Sequence, residues 1–193
     1  MNRSKNTALI VIDAQNGIRE EAHWGGNRNN PGAEENISIL LEHWRTLNLP
    51  VIIVQHQSVS PHSPFYPGRP GNELMEFVRV RPKEKLVRKS TTSAFINTDL
   101  HRYIREEQID GLVVTGFVTN NSVEATARYA GDLGIATTVV SDATACFDKV
   151  SISGKKFNSA DVHELSLSNL KGEYAAVKTT EEIVIAFNVK SKT

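Results

Sequence analysis

Residues 112–134 read "LVVTGFVTNNSVEATARYAGDLG", and the period of the chain changes partway through. "LVVTG" (112–116) is short and apolar, the pattern of a strand buried on both faces. "SVEATARYAGDLG" (122–134) takes up helical spacing, with Ser122 in the first turn. A strand that passes through a few polar residues into a helix is one β-α unit of a parallel sheet. Taken alone, Ser122 reads as a helix cap before it reads as a nucleophile.

The same alternation runs outward in both directions. "ALIVID" (8–13), "VIIV" (51–54), "TTVV" (137–140) and "AAVK" (175–178) repeat the buried-strand pattern, and "KLVRK" (85–89) is strand-like. Between them, residues 33–48 set Ile37, Leu40, Leu41, Trp44 and Leu47 three and four apart, giving one apolar stripe to cover a sheet. Residues 97–110 offer Asn97, Thr98 and Asp99 as caps, with Leu100, Tyr103, Ile104 and Ile109 facing inward. Residues 159–174 predict a helix capped by Ser159 with Gly172 just past its end. Residues 56–82 hold most of the prolines and no sustained period, which marks a binding loop or lid. These patterns predict an α/β fold, and 193 residues fit one domain, 1–193.

Twenty-two basic residues balance 22 acidic ones, so no overall field gathers nucleic acid or anionic lipid. We expect neither as a partner. The N-terminal stretch carries two basic residues, but its apolar run is short and ends in Asp13, unlike a signal peptide. No run approaches the ~20 apolar residues of a membrane helix. The single cysteine, Cys146, excludes an internal disulfide and a Cys-based zinc site, and it fits a reducing compartment. The expected location is cytoplasmic.

Ligands of parallel α/β sheets bind beyond the carboxyl ends of the strands. Asp13 closes "ALIVID", where a carboxylate is costly unless it faces a site or a partner, although a turn cap is an equal reading. Lys89 closes "KLVRK", where a solvated surface charge is the plain alternative. Each signal is weak by itself.

Their order and surroundings are more specific. "ALIVIDAQNG", "SPFYPGRPGNE", "VRKSTTSAF", "LVVTGFVTNNSVEATARYAGDLG", "VVSDATACFD" and "SADVHELSLSNL" follow one another along nearly the whole chain. In these six motifs the chain resembles the isochorismatase-like, nicotinamidase-related cysteine hydrolase superfamily. The resemblance implies a single-domain Rossmann-like fold, with a six-stranded parallel sheet flanked by helices on both faces. It also implies an Asp-Lys-Cys triad acting on a small carbonyl substrate with no cofactor. By position, Asp13 is the base, Lys89 its cationic partner, and Ser122 stands where the family motif "TNxCVEATAR" has its nucleophile. A cis peptide is implied at Phe117–Val118, to aim the Val118 N–H at the same point as the Ser122 N–H and form an oxyanion hole.

A free thiol has a pKa of ~8.5, lowered by a helix N-terminus and a nearby cation, so a carboxylate can take its proton. A hydroxyl is far less acidic and normally relies on an imidazole or a neutral lysine. Three readings follow. The chain is an amidase-type cysteine hydrolase whose nucleophile has been replaced by serine, a natural serine member that cleaves a vinyl ether by acid–base chemistry, or a non-catalytic ligand-binding member.

Nicotinamidases add a metal site built on an Asp-x-His pair, but the corresponding "VQHQSVSPH" has Gln55 and only His56 and His62 nearby. Two histidines without a carboxylate make a poor site, so no metal is expected. Trp24, Phe65, Tyr66, Phe95 and Phe117, with Gln15, are the candidates to wall a small planar substrate, packing being the alternative for the aromatics. His163 reads as a structural histidine, and Cys146 lacks the strand-to-helix turn needed to replace the nucleophile. The resemblance and the aromatic, proline-rich loop also imply a homodimer or homotetramer.

Overall fold

Strand β1 (Thr7–Ile12) is buried along its whole length and alternates between two cores. Leu9 and Val11 enter one apolar cluster, Ala8, Ile10 and Ile12 the other. A strand with both faces covered has no place for a polar alternation, which explains the unbroken apolar run. The computed structural model describes residues 6–188; residues 1–5, with the basic Arg3 and Lys5, and residues 189–193 lie outside the described residues.

Strand β2 (Val51–His56), β3 (Lys85–Lys89), β4 (Gly111–Phe117) and β5 (Ala136–Ala145) follow β1 along the chain. A short antiparallel hairpin, β6 (Lys149–Val150) with β7 (Lys156–Phe157), stands outside the main sheet. With β8 (Ala176–Lys178) the main sheet has the order β3-β2-β1-β4-β5-β8, every pairing parallel. The six-stranded α/β architecture is as the sequence implied. After a four-residue helix α1 (Glu21–Trp24), helix α2 (Ala33–Thr46) covers one face with Ile37, Leu40, Leu41 and Trp44. Helices α3 (Leu100–Glu106), α4 (Glu124–Asp132) and α5 (Ser159–Leu170) cover the other through Leu100, Ile104, Ala127, Ala130, Leu167 and Leu170. Helix α6 (Thr180–Asn188) returns to the first face, its Phe187 ring 4.5 Å from that of Trp44. Each leucine, isoleucine or phenylalanine among them contributes about 1.5–3 kcal/mol when fully buried.

Three local expectations need correction. Helix α4 does not begin at Ser122: a π-helical turn, Thr119–Val123, precedes it, closed by the Val123 N–H on the Val118 carbonyl at 3.3 Å. The cap of α5 is Asn158 rather than Ser159, because Asn158 Oδ1 accepts from the Asp161 N–H at 2.9 Å. Strand β5 runs well past "TTVV", because its pairing with β4 jumps from Val114↔Val139 to Gly116↔Thr144. Helix α6 and the hairpin were not foreseen.

The chain builds β1, β2 and β3 in one direction and β4, β5 and β8 in the other, so the strand order reverses between β1 and β4. Such a switch point opens a crevice at the strands' carboxyl ends. Two backbone features sit there. Asp13, immediately after β1, has φ +52°, uncommon for a residue with a side chain. Gly116 has φ +111°, and a Cβ on it would lie 2.0 Å from the Ile12 carbonyl oxygen. Gly116→Ala is therefore expected to destabilise the protein by about 2–3 kcal/mol through backbone strain and overpacking. Denaturant unfolding at a midpoint unchanged from the parent would contradict this.

Candidate active site

Across the carboxyl edge of the sheet, neighbouring strands end in Lys89 (β3), His56 (β2) and, just beyond β1, Asp13. Beyond β4 come Phe117, Val118 and the π-turn. Parallel pairing brings these ends together, so four segments distant in sequence meet at one point.

Lys89 Nζ is their hub. It donates to Asp13 Oδ2 at 2.8 Å and to Ser122 Oγ at 3.1 Å, lies 3.1 Å from His56 Nδ1, and reaches the Thr91 carbonyl at 3.2 Å. The ammonium side chain is fully buried and that of Asp13 is 3% exposed. A buried charge needs a close, hydrogen-bonded partner. Asp13 Oδ2 has one, while Asp13 Oδ1 is buried with no hydrogen-bond partner among the described residues.

A cavity of about 190 Å³ opens onto this group. It is lined by Asp13, His56 and Ser122, by the aromatic and apolar walls Trp24, Phe65, Phe117 and Val118, and by Ser58, Ser63, Thr92 and Asn121. Trp24 is set by its indole N–H on the Gly17 carbonyl at 2.8 Å and by ring contacts to Phe65 (5.0 Å) and Phe147 (6.3 Å). At roughly 300–1,000 Å³, sites for drug-sized ligands are larger, so this space suits a small substrate.

The Phe117–Val118 peptide is cis. The turn that carries Ser122 is anchored from behind by α5. His163 Nδ1 lies 2.9 Å from Thr119 Oγ1, and Ser166 Oγ donates to the Thr119 carbonyl (3.3 Å) and to Glu124 Oε2 (2.6 Å). His163 thus has a structural contact, but one that ends at the candidate nucleophile's own turn.

Three of the candidate substrate-binding residues lie outside the cavity lining. The Gln15 amide is fully buried and fastens the end of β2: its Nε2 donates to the His56 and Asn72 carbonyls, and its Oε1 accepts the His56 N–H. Phe95 turns into the opposite core and stacks on Tyr129, with centroids 5.1 Å apart. Tyr66 sits partly exposed on the loop. Cys146 is also away from the cavity; its thiol donates to the Ser159 carbonyl at 3.1 Å, and burial pushes its pKa up to about 12. Sequence reasoning placed His56 only as a poor metal ligand and missed its contact with Lys89. The available signal was its position, since "VIIVQH" ends level with "ALIVID" and "KLVRK".

Burial holds the pKa of both His163 and His56 below the ordinary 6.5, with Lys89 lowering His56 further. Above pH 6.5 both are neutral whether the chain is folded or unfolded. As the pH falls through 6.5 the unfolded chain binds protons that the folded chain resists, so stability declines on the acid side. The free energy of unfolding in urea should be smaller at pH 5.5 than at 7.5, and His163→Gln should narrow the gap. Identical values at both pH values would refute the assignment.

Comparison with known proteins identifies the family and agrees with the fold. The family model for the isochorismatase domain matches residues 7–182. The isochorismatase family protein YrdC of Bacillus subtilis (strain 168) is 38% identical over 180 residues, 93% of this chain and 95% of that protein. An isochorismatase-family structure from Chromobacterium violaceum ATCC 12472 superposes with a TM-score of 0.91 at 40% identity, covering 96% of this chain and 95% of the other. Nicotinamidase 3 of Arabidopsis thaliana is 27% identical over 185 residues, 89% of this chain and 84% of that one. The chain belongs to the isochorismatase family, whose members include hydrolases related to nicotinamidase.

Proposed function

We propose that this protein hydrolyses a small amide or related carbonyl C–N substrate in the cavity beside Asp13, Lys89 and Ser122. The observation that carries the reading is the divided carboxylate of Asp13, a residue that lines the cavity: Oδ2 is held by Lys89, and Oδ1 is buried with no hydrogen-bond partner among the described residues. Such an oxygen is an acceptor for a proton released in the cavity. Ser122 Oγ would attack the carbonyl carbon as its proton passes to Asp13 Oδ1, and the developing oxyanion would take the Val118 and Ser122 N–H groups. The leaving nitrogen would recover the proton from Asp13, and water would then hydrolyse the acyl ester. Lys89 holds Asp13 Oδ2 and steadies Ser122 Oγ by donating to both.

A hydroxyl in this position fits a site whose binding parts are intact and whose nucleophile is weakened. It also fits the second reading, in which Asp13 cycles as acid and base on a vinyl ether with no covalent intermediate. A panel of small amides and vinyl ethers, tried on the parent and on Ser122→Cys, separates the two. Amide turnover confined to or greatly raised in Ser122→Cys supports the amidase; vinyl ether turnover indifferent to Ser122→Ala supports the alternative.

The protein acts without a cofactor, in the cytoplasm and as a homodimer or homotetramer. Light scattering is expected to give a multiple of 21.3 kDa, and the monomer mass would reject this.

A further inference from the structure

We infer that His56 is a positioning residue of this site, whose neutral imidazole shares the Lys89 ammonium with Asp13 and Ser122 and so fixes how Lys89 meets the nucleophile. The inference rests on the amidase reading for its catalytic consequence, but not for its geometry.

An ammonium has three hydrogens. Around Lys89 Nζ stand four acceptors: Asp13 Oδ2 at 2.8 Å, Ser122 Oγ and His56 Nδ1 at 3.1 Å, and the Thr91 carbonyl at 3.2 Å. The contact with Nδ1 is attractive only if that nitrogen carries its lone pair, which puts the ring hydrogen on Nε2. Whichever hydrogen His56 accepts is withheld from Ser122 and Thr91. When charge develops on Ser122 Oγ, the competition shifts and the ammonium can turn toward it without leaving Asp13.

Protonation of His56 would undo this. Nδ1 would become a donor 3.1 Å from another cation, and the net charge of Asp13, Lys89 and His56 together would change from zero to one positive. Asp13 would then face two cations and accept a proton less readily. The groups around the ring favour the neutral form. Burial and Lys89 oppose protonation, Asp13 and the Thr91 carbonyl oppose them in turn, and the uncharged Phe65 ring packs 5.8 Å away. Gln15 and Asn72 reach only the His56 backbone.

That last feature makes the side chain testable. The end of β2 is fastened through backbone atoms, so replacing the imidazole leaves the strand in place. In substrate-free protein, long-range proton–nitrogen NMR should show His56 with Nδ1 unprotonated at pH 7 and a titration midpoint below 6.5, moving upward in Lys89→Met. In the amide-hydrolysing form, parent or Ser122→Cys, His56→Ala should lower kcat on the order of 10- to 100-fold with KM little changed, as misplaced catalytic groups do. His56→Gln, whose amide oxygen can still accept from Lys89, should recover part of that loss. It should also lack the acid-limb inflection that His56 gives to kcat/KM. A protonated Nδ1 at pH 7, or a His56→Gln profile that retains the parent's inflection, overturns the inference. Failure of every amide counts against the catalytic reading alone, because the NMR result decides for or against the shared ammonium without a substrate.

Discussion

Ser122→Cys is expected to raise the hydrolysis of small amides by on the order of 10²- to 10⁴-fold, the usual worth of a matched general-base step. The change is one atom at a position where everything else is in place. Lys89 Nζ already lies 3.1 Å from Oγ, Asp13 Oδ1 is free to accept, and the side chain sits in the turn leading into α4. A cation and a helix N-terminus both favour a thiolate, whereas a hydroxyl stays protonated in the same surroundings. Binding should not follow the rate. The Val118 and Ser122 N–H groups are backbone atoms, so calorimetry should give nearly equal dissociation constants for a small carbonyl ligand in the parent and in Ser122→Ala. Rapid turnover by the parent, with an acyl adduct absent from Ser122→Ala, would show that this serine is a competent nucleophile and that Asp13 is not the sole base.

Periodicity was sufficient for the centre of the sheet because β1, β4 and most of β2 are buried on both faces, leaving apolar runs such as "ALIVID" with no competing pattern. The same criterion failed where polar residues continue a strand. Ser141 and Asp142 interrupt β5, yet Ser141 Oγ donates to the Lys178 carbonyl and Asp142 Oδ1 accepts from the Thr180 N–H and hydroxyl, so both are satisfied at the bulge. Site residues were legible where a charge closed a strand, as at Asp13 and Lys89. His56 met the same criterion but carries no formal charge at neutral pH and was weighed only as a metal ligand. The aromatic candidates were harder, because spacing does not say which face a loop ring turns to. Trp24, Phe65 and Phe117 face the cavity, whereas Phe95 stacks on Tyr129 in the core.

Lys89→Met is expected to cost about 3–5 kcal/mol of folding free energy, the usual result of removing one partner of a buried ion pair. For a chain of this size that corresponds to a fall in Tm of roughly 6–20 °C. The reason is desolvation rather than lost attraction. Asp13, its side chain 3% exposed, would be left buried with both carboxylate oxygens lacking the ammonium. An exposed pair gives the contrast. Lys178 and Glu182 approach to 2.8 Å as well, but with side chains 42% and 49% exposed, so Lys178→Met should change stability by about 0.5 kcal/mol or less. The double variant Asp13→Asn with Lys89→Met should be less destabilised than the sum of the single changes, because it removes the charge that Lys89 neutralises. If Lys89→Met unfolds within 1 kcal/mol of the parent, water or another cation reaches Asp13. The carboxylate would then no longer be the isolated proton acceptor on which the amidase reading depends.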